Sequence, residues 1–457
     1  MSNSNQPQPG TPGEENKSGS NKPARSAAPV SNAERIRTLD VVRGVALLGI
    51  LLMNIPGFGL DQSAYGDILR GDHQNRDYKT FAIVTTLFEG TMRGLFSMLF
   101  GAGMVLFMLN KKDVPGGASV GEYYYRRLLW LLLFGMLNAY ILLWPGDILY
   151  FYALAGMLLF PFRKWQPRWL VALAVLCIAI GFIKGQWQWS ELRGKREAYH
   201  LAKAAEKEKK TLTENQQGAV AQWEKIEKQQ QPDTARTNRN LRKMHGGYAT
   251  VFLHMVPENS NNEIWGIYHW VWDPLCMMFL GMALFGLGFF SNKLPTSVYT
   301  LTLLLGYGVG VPLGWFYFSQ AYGGAFTDFS AFVDRWRVPP FAVYDLKRVF
   351  LSLGHASLVM LIYRSRIVPW LMKALACVGQ MAFTNYLMQS IFCAFIFYGY
   401  GFDYYHRLRY HQLYYIVGAI WLFQLVASVI WLRFFRFGPF EWLWRSLTYW
   451  RRQPFKK

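Results

Sequence analysis

The chain has 457 residues, 52% of them hydrophobic and 17% aromatic, including 18 Trp, 34 Phe and 26 Tyr. Several apolar runs reach the roughly 20 residues a helix needs to cross a bilayer, and mean hydropathy is only +0.09 because two long polar tracts dilute them, so a soluble globular class is excluded. The formal charge of +20 does not imply nucleic acid, because Lys and Arg gather in short loops beside the apolar runs, where membrane proteins keep their cytoplasmic positive charge.

Residues 1–34, rich in Asn, Ser, Pro and Gly, read as a disordered cytoplasmic tail. The first apolar run follows that tail without a small-residue cleavage site, so it is a retained span and not a signal peptide. Ten spans are expected, at roughly 39–58, 85–109, 126–143, 147–162, 168–184, 270–290, 296–318, 346–363, 372–398 and 412–432. The fold class is an all-α polytopic membrane protein of two halves, 35–184 and 249–457.

The basic short loops are 110–127 with Lys111, Lys112, Arg126 and Arg127, 161–168 with Arg163, Lys164 and Arg168, and 364–373 with Arg364, Arg366 and Lys373. With the Arg-rich C-terminal tail they share one side, which places both termini in the cytoplasm of a multi-pass inner-membrane protein. Residues 185–248 hold a different sequence, dense in charge and helix formers over about 190–245, and read as solvated helices on the periplasmic side. The closing RFFRFGPFEWLWRSLTYWRRQP alternates Trp and Phe with Arg, as an interfacial helix does.

Ionisable groups inside spans are costly and are therefore functional candidates. In RIRTLDVVRGVALLGILLMN, Asp40 and Arg43 lie about 60° apart on a helix, and Asn54 lies about 20° from Arg43 and about 16 Å further in. They form either a local ion pair and cap or the start of a polar stripe. In LNAYILLWPGDIL, Asp147 is an N-cap or a carboxylate that orients a base or substrate, with Asn138 in the span before it. Glu89 and Arg93 sit one turn apart near the outer end of the second span; Arg93 either snorkels or binds an anionic group. Gln380, Thr384, Asn385 and Gln389 fit interhelical hydrogen bonds. His355 is the histidine nearest mid-membrane, and His269 and Asp273, four residues apart, have the spacing of a His oriented by a carboxylate for general-base or acyl-accepting work. The four cysteines, Cys177, Cys276, Cys377 and Cys393, show no metal-ligand spacing, and no metal is expected. There is no nucleotide loop and no nucleophile elbow.

The stretches TLDVVRGVALLGILLMNIPGFG, LFSMLFGAGM, LLWPGDIL, ACVGQMAFTNYLMQSIFC and VIWLRFFRFGPFEWLWRSLT resemble the YeiB family of bacterial inner-membrane proteins, over about 35–455. That family carries a C-terminal domain of unknown function. Its distant similarity to membrane acyltransferases, including heparan-type glucosamine acetyltransferases, rests on an Asp-x-x-Arg-Gly opening, here Asp40, Arg43 and Gly44. The resemblance implies a cytoplasmic acyl-CoA donor, an envelope glycan or lipid acceptor, and a central membrane-embedded His. Here the chain departs from the family's His at Asn138 and from its Arg at Gln380.

The functional expectation is therefore acyl transfer. Asp147, His269, Asp273 and His355 are its candidate catalytic groups; Asp40, Arg43, Asn54, Arg93, Asn138 and Asn385 are its candidate binding groups. The rivals are a transporter or flippase using the same stripe, and a non-catalytic scaffold whose insert binds a partner. The lipid bilayer is the one certain partner, and association into homo-oligomers is left open.

Overall fold

A computed structural model describes residues 36–109 and 119–457, apart from the side chains of Ile267 and His269. The expected tail over 1–34 and the Lys111–Lys112 part of the basic loop lie outside those residues. The regular secondary structure of the described residues is helical, with one isolated bridge between Phe435 and Lys456.

The first half begins with α1 (Arg37–Gly59), followed by the short α2 (Ser63–Arg70) and by α3 (Arg76–Leu87) and α4 (Thr91–Leu109). The expected span over 85–109 is thus a two-piece element that starts earlier. Its joint is Gly90 at φ 71°, a left-handed conformation that costs glycine little. Next, α5 (Val120–Tyr140) and α6 (Leu149–Leu159) form a hairpin. The fifth span continues without a break into the charged tract, giving the 41-residue α7 (Pro167–Lys207). Then α8 (Glu214–Gln230), opened by a Thr213–Gln216 capping box, and α9 (Thr234–Met244) complete the tract.

The second half contains α10 (Tyr248–Trp270), α11 (Trp272–Gly286), α12 (Thr296–Phe316), α13 (Gly323–Thr327), α14 (Phe329–Arg335), α15 (Tyr344–Ser365), α16 (Pro369–Gln380), α17 (Ala382–Phe397), α18 (Tyr410–Phe434) and α19 (Pro439–Tyr449). The run expected as one span over 372–398 is α16 and α17, broken at Met381.

Six stretches are long and apolar enough to cross a membrane: α1, α3 with α4, α7, Thr296–Thr327, Pro340–Ser365 and α18. The helices α6, α11 and α17 are shorter and also apolar. Burial sorts them, because 72% of the apolar window of α1 is buried against 17% for α7 and 28% for α18. Helix α1 is therefore central. The outward faces of α7, α12 and α18 display Val175, Ile183, Leu304, Leu422 and Phe423, apolar surface that only lipid would cover. The protein is an integral membrane protein.

In lipid, helices associate by close packing. A Cβ on Gly44 would stand 2.1 Å from the Leu375 carbonyl oxygen, and one on Gly379 would stand 1.9 Å from that of Asp40, so α1 and α16 touch backbone to backbone. Gly101 and Gly281 make the same kind of contact between α4 and α11.

Buried charge is arranged to cancel. Lys347 and Arg348 of α15 have no exposed surface. Arg348 pairs with Asp273 and with Asp345 (2.8 Å), Arg93 donates to Asp273 (2.8 Å), and Lys347 donates to the Thr85 carbonyl (2.8 Å) beside Glu89 (3.8 Å). Three carboxylates thus meet three cations, which avoids the cost of a net charge in the interior.

At the end of the bundle where α7 projects, Trp189, Trp223 and Phe332 form a separate small core. Arg196 clamps Asp334 through two bonds (2.9 and 2.7 Å), and its guanidinium holds that carboxyl below the usual range.

Gly44→Ala should lower stability by about 1–3 kcal/mol through overpacking. Gly194→Ala, on an open face of α7 with nothing within 4 Å, should be neutral or raise it by up to about 1 kcal/mol. Thermal unfolding in detergent measures both.

Candidate functional site

The contact at Gly44 sets the position of the two residues before it. Asp40 is buried and accepts a 2.8 Å bond from Arg43, the i, i+3 pair that the sequence spacing allows. Both line a cavity of about 230 Å³ that opens at the end of the bundle where α1 begins. Arg127 of α5 and Arg445 of α19 also line it; beyond them the wall becomes apolar and aromatic through Phe96, Phe100 and Leu131 to Tyr152 and Tyr386.

Arg127 is the unusual member. Its guanidinium lies 4.0 Å over the Trp444 ring and 5.5 Å from the Phe107 centroid, and it forms no ion pair among the described residues. A half-buried cation held only by aromatic faces has hydrogen-bonding capacity left for an anion.

Helix α19 closes the cavity floor. Its amphipathic pattern suits a helix lying at the interface, yet it is also built into the bundle. Trp444 Nε1 donates to the Arg127 carbonyl (2.8 Å), and the buried Glu441 carboxylate accepts the amides of Phe383 (2.7 Å) and Thr384 (3.0 Å) and the Thr384 hydroxyl. Those amides are the orphan donors at the start of α17, so a carboxylate there satisfies both hydrogen bonding and the helix dipole.

At the inner end of the cavity, the Tyr386 hydroxyl accepts from the Ile148 amide (3.2 Å) and donates to Asp147 Oδ1 (3.2 Å). Asp147 also accepts from Asn138 Nδ2 (2.7 Å) and from the Tyr150 amide (2.9 Å). Asp147 thus bonds the first turn of α6 through the Tyr150 amide, as the capping reading has it, and stands behind Tyr386 without lining the cavity itself.

The other predicted residues lie elsewhere. The stripe beyond Arg43 does not continue as polar surface, because Leu47, Ile50 and Leu51 are buried in apolar core. Asn54 is half-buried, does not line the cavity and makes no hydrogen bond among the described residues. Asp273 opens α11 and pairs with Arg93 and Arg348, after a break at Val271 that separates it from the helix of His269. The side chain of His269 lies outside the described residues. Arg93 faces Asp273 and the Tyr344 hydroxyl (3.3 Å). His355 spends both ring nitrogens, on the Tyr307 hydroxyl (2.7 Å) and the Leu87 carbonyl (3.0 Å), and stacks on Phe88. Asn385 bonds Ser428 (3.0 Å) on α18, the interhelical use expected of its span. Gln380 lines the cavity and reaches the Arg436 carbonyl (3.3 Å).

Sequence reasoning passed over two features. In the sequence Arg127 is one charge of a basic loop, and PENSNNE over 257–263 signals only as a run of amides in an otherwise apolar segment. In the fold that run places Asn259, Ser260, Asn262 and Glu263 against the α5–α6 link.

Glu441→Ala should cost about 1–3 kcal/mol, because the Phe383 and Thr384 amides lose their acceptor. Glu441→Gln keeps one acceptor oxygen and should lose less. Unfolding midpoints of both variants in detergent are the check.

Residues 284–451 match the family described as "Protein of unknown function (DUF418)". The chain is 30% identical over 440 residues to the uncharacterized protein YxaH of Bacillus subtilis, covering 94% of this chain and 98% of that protein. It is 31% identical over 431 residues to the uncharacterized protein YeiB of Escherichia coli, covering 91% and 96%. An uncharacterized 39.9 kDa protein of Bacillus acidopullulyticus is 26% identical over 426 residues. No solved structure matches. Similarity of this extent spans both halves of the bundle and the cavity between them, and the chain belongs to the YeiB-like family that carries the DUF418 domain.

Proposed function

We propose that the protein is an acyltransferase of the bacterial inner membrane, which takes an acyl thioester such as acyl-CoA at the cytoplasmic face and passes the acyl group to an envelope acceptor. The observation that carries this reading is the cavity with Arg43, Arg127 and Arg445 at one end and an apolar shaft leading to Tyr386, whose hydroxyl bonds Asp147 behind it. The positive-inside rule assigns the Arg-rich end to the cytoplasm.

A ligand for such a cavity is anionic at one end and apolar at the other. At about 230 Å³ the cavity is smaller than the roughly 300–1,000 Å³ that encloses a whole small ligand. It suits the acyl end and the arm next to it, with the phosphates outside on the arginines. Charge-assisted bonds from guanidinium to phosphate would hold the donor.

The acceptor's hydroxyl or amine attacks the thioester carbonyl. A C–O or C–N bond forms, the C–S bond breaks, and the acceptor's proton leaves through the Tyr386 hydroxyl to Asp147 and finally to the departing thiolate. Asn138 has no basic nitrogen. Its place is to orient Asp147 with its amide N–H, so the proton transfer falls to the carboxylate. Developing charge on the thioester oxygen would be met by donors already fixed in the fold.

The test uses inverted membrane vesicles given acyl-CoA labelled in the acyl group. Wild-type vesicles should move label to the lumenal fraction. Arg127→Ala should reduce the rate about 10–100-fold through lost charge-assisted bonding, Arg127→Lys should retain part of it, and Asp147→Asn should abolish it. Wild-type vesicles that match empty ones with both acetyl-CoA and longer acyl-CoAs would sink the assignment.

A further inference from the structure

Helix α10 is inside out. Leu253, Ile264, Trp265, Tyr268 and Trp270 are exposed, while the buried face, at a spacing of four residues, runs Val251, Met255, Asn259, Glu263. Its polar half lies on the α5–α6 link: Asn259 Nδ2 donates to the Ala139 carbonyl, Asn262 Nδ2 to the Pro145 carbonyl (3.3 Å), and Tyr140 and Ser260 share a bond (3.1 Å).

Three buried oxygens in this cluster have no hydrogen-bond partner: Asn138 Oδ1, Asn259 Oδ1 and Glu263 Oε1. Asn138 is 0% exposed and Asn259 1%. The orientation of the two amides follows from what they bond. Asn259 Nδ2 meets a carbonyl, which can only accept, and Asn138 Nδ2 meets the Asp147 carboxyl, which accepts in its ionised form, so the orphans are then oxygens. Asp147 and Glu263 form no ion pair with Lys, Arg or His among the described residues. The remaining orphan of the link, the Trp144 Nε1–H, lies beside the Tyr386 hydroxyl.

Unpaired acceptors of this kind are costly in the interior, and what satisfies them is a donor or a cation. The negative end of the α5 dipole terminates on the same link, at Ile141, and adds to the preference for positive charge. Two carboxylates and two amide oxygens form a hard-oxygen set. Asp147 already accepts from Asn138, Tyr150 and Tyr386, so Glu263 is the carboxylate left to balance and a single positive charge does so. We infer that Asn138, Asp147, Asn259 and Glu263 form a binding site for a small monovalent cation, either an inorganic ion or the primary ammonium of a lipid or glycan headgroup. This site does not depend on the acyl-donor reading of the cavity, although a cation here would also keep Asp147 ionised.

The test is thermal unfolding of the purified full-length protein in non-ionic detergent, without acyl-CoA, at constant ionic strength. Choline chloride, whose cation is too large, is replaced stepwise by NaCl, KCl, ammonium chloride or ethylammonium chloride. At least one small cation should raise Tm saturably by about 2–4 °C. Sodium or potassium acting best assigns an inorganic ion, and ammonium with ethylammonium acting best assigns a headgroup amine. Glu263→Gln, confirmed as folded by its gel-filtration profile, should lose the shift. Glu258→Gln, altered on the exposed side of α10, should keep it. Equal Tm in all salts, or a full shift retained in Glu263→Gln, would overturn the site. Because no acyl-CoA is present, either result leaves the acyl-transfer test independent.

Discussion

The break between α16 and α17 is the constraint on which the candidate site depends. A helix break buried in the bundle leaves amide donors that need acceptors, and each one left unmet is expensive. Here the Glu441 carboxylate, arriving from α19, takes the amides of Phe383 and Thr384. That bond fixes α19 under the bundle, which brings Trp444 beneath Arg127 and Arg445 to the cavity rim. On the other side of the break, Gly379 meets the Asp40 carbonyl so closely that no side chain could intervene, and this sets Asp40 and Arg43 opposite Arg127. One broken helix therefore organises both walls of the cavity.

The same cost explains the contrast between the two polar regions of the interior. Around α15 the charges cancel: Arg348 and Lys347 are met by Asp273, Asp345 and Glu89, although Arg348 Nε and Glu89 Oε2 have no hydrogen-bond partner among the described residues. Such a network ties α4, α11 and α15 together. At the Arg127 end and at the Asp147 link the balance is incomplete, with a surplus of cations in one and of oxygen acceptors in the other. The proposed donor site and cation site rest on these two regions.

Much of the fold was legible because lipid demands long apolar runs, and the apolar stretches of α1, α7, α12, α15 and α18 fall where those runs are. The Asp40–Arg43 pair was legible because its spacing is local. The breaks at Gly90 and Met381 were not, because hydropathy reads straight through them. The partners of Asp273 were not either: Arg348 stands on a helix 75 positions away, and sequence-distant ion pairs leave no periodic trace. His355 stands out in the sequence as a histidine in a span, but the partners of its two ring nitrogens, Tyr307 and Leu87, are sequence-distant and leave no trace there. Arg127 was hidden by its neighbours, since a basic loop at a membrane edge needs no special explanation until α19 folds beneath it.

The most direct measurement is photo-crosslinking with an acyl-CoA carrying a diazirine at the end of its acyl chain, supplied to the cytoplasmic face of inverted vesicles and read by mass spectrometry. Adducts on the shaft residues Phe100, Leu131 and Tyr152, suppressed by excess unlabelled acyl-CoA, are the expected result. Adducts confined to the lipid-facing surfaces of α7 and α18, or insensitive to that competitor, would contradict a donor site in the Arg43–Arg127 cavity.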